Sequence, residues 1–448
     1  MPFVFNYNLY YVRRNLMNFE MMHPAEQIVK IMNRIYRYGM TTTSGGNLSI
    51  MDDSGDIWIT PSGIDKGSLT ESDIMQIKPD GKVIGMHKPS IELPFHSAIM
   101  HNRPNVRAVL HAHPPALVAF SIVRENPKTD ITTELYRLYQ QGGIKMAKYE
   151  IPGSELLGDR ILEAFEDDVN TVMLENHGVI IASENIFEAF KIFETLEFGA
   201  RLEINAELLG QPQSLTKSDY EVAKNTQSPP ELLDYDDHIP SSYEKKERQK
   251  MCHMVGRAYK QRLFSSTQGT YSRRINDETF IITPFDKDRM YLEPEDIVAI
   301  KNGCREKGKT PSRSVQLHME IYKKHPQINS VIIAYPPNVM AFAITGVEFD
   351  SRTIPESYIM LRDIPRINFD EAYSNPQMVA NTINESTPVV MVANSCIITT
   401  GNSMLQAFDR LEVAEFSAKA LIFTKQLGDI VRINEKQVEE INKSFNLN

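Results

Sequence analysis

Apolar residues recur at Ile28, Ile31, Met32 and Ile35, the three-and-four spacing of one helical face, and predict a helix over residues 24–38. Further along, the pattern predicts strands at 57–60, 106–113 and 171–174. It predicts helices at 93–101 and 157–165, and a long amphipathic helix over 186–209. Short strands mixed with helices in this way describe an α/β or α+β layered domain.

The same pattern then returns. Gly46 matches Gly269, Ser49 matches Ser272, Thr60 matches Thr283 and Lys78 matches Lys301, always 223 positions apart (269 − 46). The separation drops to 222 at Ser90 and Ser312 and at His96 and His318, then to 218 at Asn176 and Asn394. A slowly drifting offset is what duplication followed by loop trimming leaves. The expected organisation is an N-terminal extension over 1–22, expected to be disordered, and a first copy over 23–209. A polar surface linker over 210–246, a degenerate second copy over 247–428 and a C-terminal tail over 429–448 follow. Met17, Met21 and Met22 offer alternative start positions.

Composition narrows the function classes. With 448 residues, 42% apolar and 24% charged, the chain suits two soluble domains. The net charge of −10 and the lack of a basic cluster give nucleic-acid binding no support. No run approaches 18 uninterrupted apolar residues, and Arg13 and Arg14 follow rather than precede the early apolar residues. Neither a membrane span nor a secretory signal is therefore predicted. Cys252, Cys304 and Cys396 lie far apart without metal or redox spacing, which fits a reducing cytoplasm.

The candidate chemistry sits in the first copy. His111 and His113 are two apart on a strand that Pro114-Pro115 ends, so both imidazoles share a face. His177, followed by Gly178, lies after another strand, and Glu92 opens a helix with His96 one turn later. Three imidazoles with an open position suit a catalytic zinc-like ion. Taken singly, each motif is also what a packed histidine pair, a turn or a helix-start charge looks like. The second copy weighs against those readings, because Glu92, His111, His113 and His177 become Ser314, Ile333, Tyr335 and Ser395 together. Joint loss is expected of a shared site. Ser44, Gly46 and Asn47, with the Ser62-Gly63 turn and Ser90, form a candidate anion or polyol pocket. In the second copy Asn47, Ser62 and Gly63 become Thr270, Phe285 and Asp286, and a carboxylate at that turn repels phosphate.

In order, Ser-Gly-Gly-Asn-Leu-Ser, Thr-Pro-Ser-Gly, Pro-Ser-Ile-Glu, His-Ala-His-Pro and Asn-His-Gly resemble the class II aldolase/adducin family, over about residues 24–209 and degenerately over 247–428. The resemblance implies a three-layer α/β/α domain with a mostly antiparallel central sheet in two tandem copies. It also implies a homo-oligomer, here with a pseudo-fourfold arrangement of repeats. By resemblance His111, His113 and His177 bind Zn2+ or another divalent transition metal, and Glu92 is a ligand that turns acid/base. Asn47, Ser62, Gly63 and Ser90 line a phosphate pocket, although Ile91 stands where the family often has a second hydroxyl. The implied activity is retro-aldol cleavage of a sugar or sugar phosphate through a metal-stabilised enediolate. A related epimerase, dehydratase or decarboxylase and a non-catalytic adducin-like scaffold are the alternatives. The aldolases also supply a tyrosine from a neighbour, upstream of a Gly-Gly pair. Tyr136 matches it, and the second copy keeps Tyr358 at the same offset (358 − 136 = 222). If the repeats alternate around the ring, Tyr358 serves the first copy's site and Tyr136 faces the degenerate one.

Overall fold

The helix predicted at 24–38 forms as Pro24–Arg37, with proline at its first position and the His23 ring accepting the Ala25 amide. Its Ile28, Ile31, Met32 and Ile35 are fully buried, as the spacing requires. The computed structural model describes residues 19–140, 142–166, 169–236 and 238–447. The extension expected over 1–22 therefore lies outside the described residues up to position 18. The described residues fall into two compact units. One runs to Pro127 and resumes from Arg137 to Ala200; the other comprises Lys128–Tyr136 and the chain from Arg201 onward.

Unit 1 is built on β1 (Asn47–Met51), β2 (Ile57–Ile59), β3 (Met75–Ile77), β4 (Val83–Ile84), β5 (Ala108–Ala112), β6 (Ile144–Ala147), β7 (Thr171–Leu174) and β8 (Gly178–Ser183). These lie in the order β4-β3-β2-β1-β5-β8-β7-β6. Every pairing is antiparallel except β6 with β7. Alternate residues feed two cores. Ile57, Ile59, Val109, Val172 and Ile180 pack with Phe95 and Ile99 of helix Leu93–Asn102 and with Leu157 and Ile161 of helix Glu155–Phe165. Leu48, Leu110, Val179 and Ile181 are equally buried on the opposite face, the side from which helix Pro24–Arg37 meets β1 and β2. The result is the expected three-layer α/β/α arrangement around a mostly antiparallel sheet.

Unit 2 repeats it with β9 (Asp234–Tyr235), β10 (Thr270–Arg274), β11 (Thr279–Ile282), β12 (Val298–Lys301), β13 (Cys304–Glu306), β14 (Ser330–Ala334), β15 (Arg366–Ile367), β16 (Val389–Val392) and β17 (Cys396–Gly401), ordered β15-β16-β17-β14-β10-β11-β12-β13-β9. The register duplicates too. Asn47 faces His111 across β1 and β5, and Thr270 faces Ile333 across β10 and β14. The alignment read from sequence offsets is thus the alignment of the two backbones.

Three segments depart from the expected pattern. The strand foreseen at 106–113 pairs only over Ala108–Ala112, because Val106 closes a turn on Arg103 and prolines follow His113. The stretch expected as a surface linker, 210–246, carries helix Lys217–Asn225 and β9, and helix Ser242–Lys260 begins within it. A Thr216–Asp219 capping box starts the first helix, and buried Leu215 and Ala223 anchor it, a minimal apolar signal inside a polar stretch. The tail expected over 429–448 holds helix Glu435–Phe445, opened by an Asn434–Gln437 capping box.

Candidate metal centre

β5 and β8 are neighbours, with His111 opposite Ile180 and Ala112 opposite Val179. The turn that enters β8 therefore brings His177 beside the end of β5, where His111 and His113 project. Asn176 takes a left-handed backbone there (φ 53°). Gly178 is required, since a Cβ on it would come within 2.6 Å of the Ala112 carbonyl oxygen and 2.7 Å of the His113 ring. Gly46 (φ 73°) lies equally close, its Cβ position 2.7 Å from the His111 carbonyl oxygen.

The candidate ligand atoms of His111, His113 and His177 lie within 4.8 Å of one another. Ring centroids are 4.7–4.8 Å apart, and the Nε2 atoms of His111 and His113 are separated by 2.9 Å. Glu92 brings Oε2 to 3.6 Å from His111 Nε2. The four side chains predicted to form one centre do converge, and among the described residues these histidines form the one such three-ligand group.

Electrostatics prepares the rings to ligate. Burial pushes His111 down to about 3, the nearby His177 adds to the shift, and the Val179 carbonyl opposes it. Burial, then His111 and His177, likewise push His113 to about 3. His177 is lowered by burial against the pull of Glu92. All three are therefore neutral near pH 7, with lone pairs available. His111 Nδ1 donates to the Val179 carbonyl over 3.0 Å, which fixes Nε2 as its ligating end. Three neutral imidazoles and a carboxylate fit a zinc-like ion; nitrogens bonded to one tetrahedral zinc stand about 3.3 Å apart, and the His111 and His113 Nε2 atoms are 2.9 Å apart.

Glu92 sits at the head of helix Leu93–Asn102. Its Oε2 accepts from Asn47 Nδ2 at 2.6 Å, and its backbone N–H donates to Ser90 Oγ at 3.3 Å. Asn47 Oδ1 in turn accepts from His96 Nε2, and Ser49 Oγ donates to His96 Nδ1 at 2.7 Å. Burial holds His96 at about 3, so the ring is neutral and this chain has one consistent direction. Ser49 and His96 were not among the predicted site residues. Both persist in the second copy as Ser272 and His318, bonded at 2.7 Å, and that repetition, with the place of His96 one turn from Glu92, is their signal in the sequence.

The predicted anion-pocket residues are only partly gathered. Pro61 bridges Pro89, Ser62 N–H donates to the Lys88 carbonyl and Ser90 N–H to Thr60, so the Ser62-Gly63 turn adjoins Ser90. Lys66 N–H donates to Thr43, tying in the turn that carries exposed Ser44. Lys66 itself escaped the sequence reading. Its buried ammonium donates to the Pro61 carbonyl at 2.6 Å, and burial, against Asp65, lowers its pKa. Arg289 in the second copy holds the Pro284 carbonyl in the same way at 3.1 Å. The tyrosines both lie in unit 2. Tyr136 stacks on Tyr220 at 4.3 Å, and Tyr358 donates to Asn442 Oδ1 at 3.1 Å beneath the C-terminal helix.

The fold defines a class II aldolase-type domain in two copies, one of them without the candidate ligands. The family model for the class II aldolase and adducin N-terminal domain matches residues 26–204 and 249–422, and the chain belongs to that family. It is similar to a 5-deoxy-D-ribulose 1-phosphate aldolase from Bacillus thuringiensis serovar kurstaki, 32% identical over 44% of this chain and 91% of the relative. An L-fuculose phosphate aldolase from Methanococcus maripaludis is 34% identical over 39% and 93%. A 3-oxo-tetronate 4-phosphate decarboxylase from Escherichia coli is 28% identical over 40% and 84%. No helix among the described residues is long and apolar enough to cross a membrane.

Proposed function

We propose that the first repeat is a zinc-dependent lyase that cleaves a sugar or sugar phosphate by retro-aldol chemistry. The observation that carries this reading is the convergence of His111, His113 and His177 with a Glu92 oxygen 3.6 Å from His111 Nε2. A divalent ion held by the three imidazoles supplies Lewis acidity toward a substrate's carbonyl and adjacent hydroxyl. Glu92 takes the proton of the hydroxyl beta to the carbonyl, whose oxygen becomes the aldehyde as the carbon–carbon bond breaks, and returns it to the alpha carbon of the other product. Asn47 holds that carboxylate in place through Oε2. The turns at Ser44–Gly46 and Ser62–Gly63, with Ser90, orient the far end of the substrate through hydroxyls and backbone N–H groups. The phosphorylated substrates in the relatives' names support a sugar phosphate.

Tyr358 steadies the oxygen of the departing aldehyde by a hydrogen bond from its hydroxyl, in an oligomer where repeats alternate. Tyr136 is then committed to the second repeat. In support, Glu134, two residues before Tyr136, pairs with Arg313 beside Tyr335, the counterpart of His113. Three free cysteines support a reducing cytoplasm. A decarboxylase is the second reading, favoured by the similarity to the 3-oxo-tetronate 4-phosphate enzyme. The zinc-loaded full-length protein should be screened against ketose phosphates, unphosphorylated ketoses and 3-oxo acid phosphates. Release of an aldehyde from a ketose phosphate is the expected result. Carbon dioxide from the oxo acid supports the second reading, and no turnover of any class overturns both.

A further inference from the structure

The second repeat has lost its metal ligands without leaving its centre open. Tyr335 and Ser395 stand at the positions of His113 and His177, and Ser395 Oγ pairs with the Tyr373 hydroxyl at 2.7 Å. Thr270 and Ser312, counterparts of Asn47 and Ser90, share a hydrogen bond of 2.7 Å, and Ser314 Oγ donates to Thr270 at 3.2 Å. None of these side chains carries charge. The cation is supplied instead by Arg313, at the position of Ile91 (313 − 222 = 91). Ile91 is 63% exposed in the first repeat, whereas the Arg313 side chain turns inward and is only 17% exposed. Its guanidinium reaches the Tyr335 hydroxyl at 3.4 Å.

A buried guanidinium needs an anion, and one is present. Glu134 Oε1 accepts from Arg313, and Glu134 Oε2 accepts from Gln268 Nε2 at 2.7 Å. The carboxylate is thus held by both oxygens, and its side chain is 6% exposed. Glu134 comes from Lys128–Tyr136, sequence of the first repeat that packs as part of unit 2. The same segment is fastened by the Leu215 amide on the Asp130 carbonyl at 2.8 Å and by Asn394 Nδ2 on the Ile131 carbonyl at 3.0 Å. Asn394 aligns with Asn176, beside the first repeat's His177.

We propose that the second repeat's former metal centre is a carboxylate-binding site, with the Arg313 guanidinium in the role of the cation and the Glu134 side chain as its resident ligand. The duplicated domain thereby binds a carboxylate at this centre and uses it to hold the 128–136 segment. A buried ion pair deprived of one partner leaves the other charge uncompensated, so the site left by Glu134 should recruit a small carboxylate from solution. This inference does not depend on the reaction proposed for the first repeat.

The test is chemical rescue in the full-length protein, read by thermal unfolding with acetate as the probe and chloride as the ionic-strength control. Glu134→Ala should lower the melting temperature by several degrees. Acetate at about 100 mM should restore much of that loss in a saturable way, as a ligand of the native state does. Wild type and Glu134→Ala/Arg313→Met should show no such rise. An equal acetate effect in all three, or none in Glu134→Ala, overturns the proposal. If Glu134→Ala does not fold, Glu134→Gln keeps the volume and removes the charge. Its amides over 130–136 should then exchange hydrogen at least tenfold faster than wild type, and unchanged protection overturns the proposal.

Discussion

Asn47 donates from Nδ2 to Glu92 Oε2 across 2.6 Å while its Oδ1 receives His96, so the carboxylate's position is set by a residue on β1 facing His111. In the second repeat Thr270 cannot span that gap, and His318 Nε2 has no hydrogen-bond partner among the described residues. Asn47→Leu should lower kcat about 10- to 100-fold and Glu92→Gln about 10²- to 10⁴-fold, the usual range for a misplaced or missing proton-transfer group. Both should keep their bound metal. Steady-state rates paired with metal analysis check this, and loss of metal in step with rate would assign Asn47 to the ligand set instead.

Acid should destabilise the metal-free fold. His96, His111 and His318 are fully buried and held at about 3 by desolvation, against about 6.5 when unfolded. Between those values the unfolded chain binds more protons, so this stability is complete above pH 6.5 and drains away as pH falls toward 3, by up to about 1.4 kcal/mol per pH unit per histidine. Glu415, raised to about 7 by burial, acts in the opposite sense between 7 and about 4.5. The three histidines outweigh it. Denaturant titrations of EDTA-treated protein from pH 7 to 4.5 should show a net loss; a flat or rising profile contradicts it.

Much of the fold was legible because its signals were local. The helical spacing around Ile28 and Ile35, the prolines after His113 and the turn at Asn176–Gly178 each fixed an element without distant help. The joint replacement of four candidate ligands in the second copy points to one shared centre, and those four side chains lie together. The Asn47–His96–Ser49 chain was hidden, because bonds between β1 and a helix nearly fifty residues away depend on sheet register rather than pattern. Helix Lys217–Asn225 was hidden for a different reason, since two buried apolar residues are too few to show periodicity. The pairing of Glu134 with Arg313 needed the tertiary position of a segment that departs from its own repeat.

Gly178→Ala should damage the centre from outside the ligand set. The new methyl would press on the Ala112 carbonyl and the His113 ring, so one of them must move. Overpacking of this kind costs about 1–3 kcal/mol. Metal affinity should fall at least tenfold, read by competition with a chromophoric chelator, while Gly158→Ala on helix Glu155–Phe165, whose Cβ position comes no nearer than 3.9 Å to Phe95, should leave it unchanged.

The two tyrosines should separate. Tyr358→Phe is expected to reduce kcat by about 10²-fold or more, as loss of a positioned hydrogen-bond donor to a reacting oxygen does. Tyr136→Phe should stay within about threefold of wild type, because that ring stacks on Tyr220. The reverse ranking would place Tyr136 at the live centre and end the alternating arrangement of repeats.

Metal content bears most directly on the centre itself. Full-length protein loaded with zinc and exhaustively dialysed should retain about one ion per chain by elemental analysis, as a single three-histidine site requires. His111→Ala/His113→Ala should retain almost none, and Tyr335→Phe in the second repeat should match wild type. Wild-type protein that retains no zinc, or a double variant that keeps its ion, would show that His111, His113 and His177 do not form a metal centre.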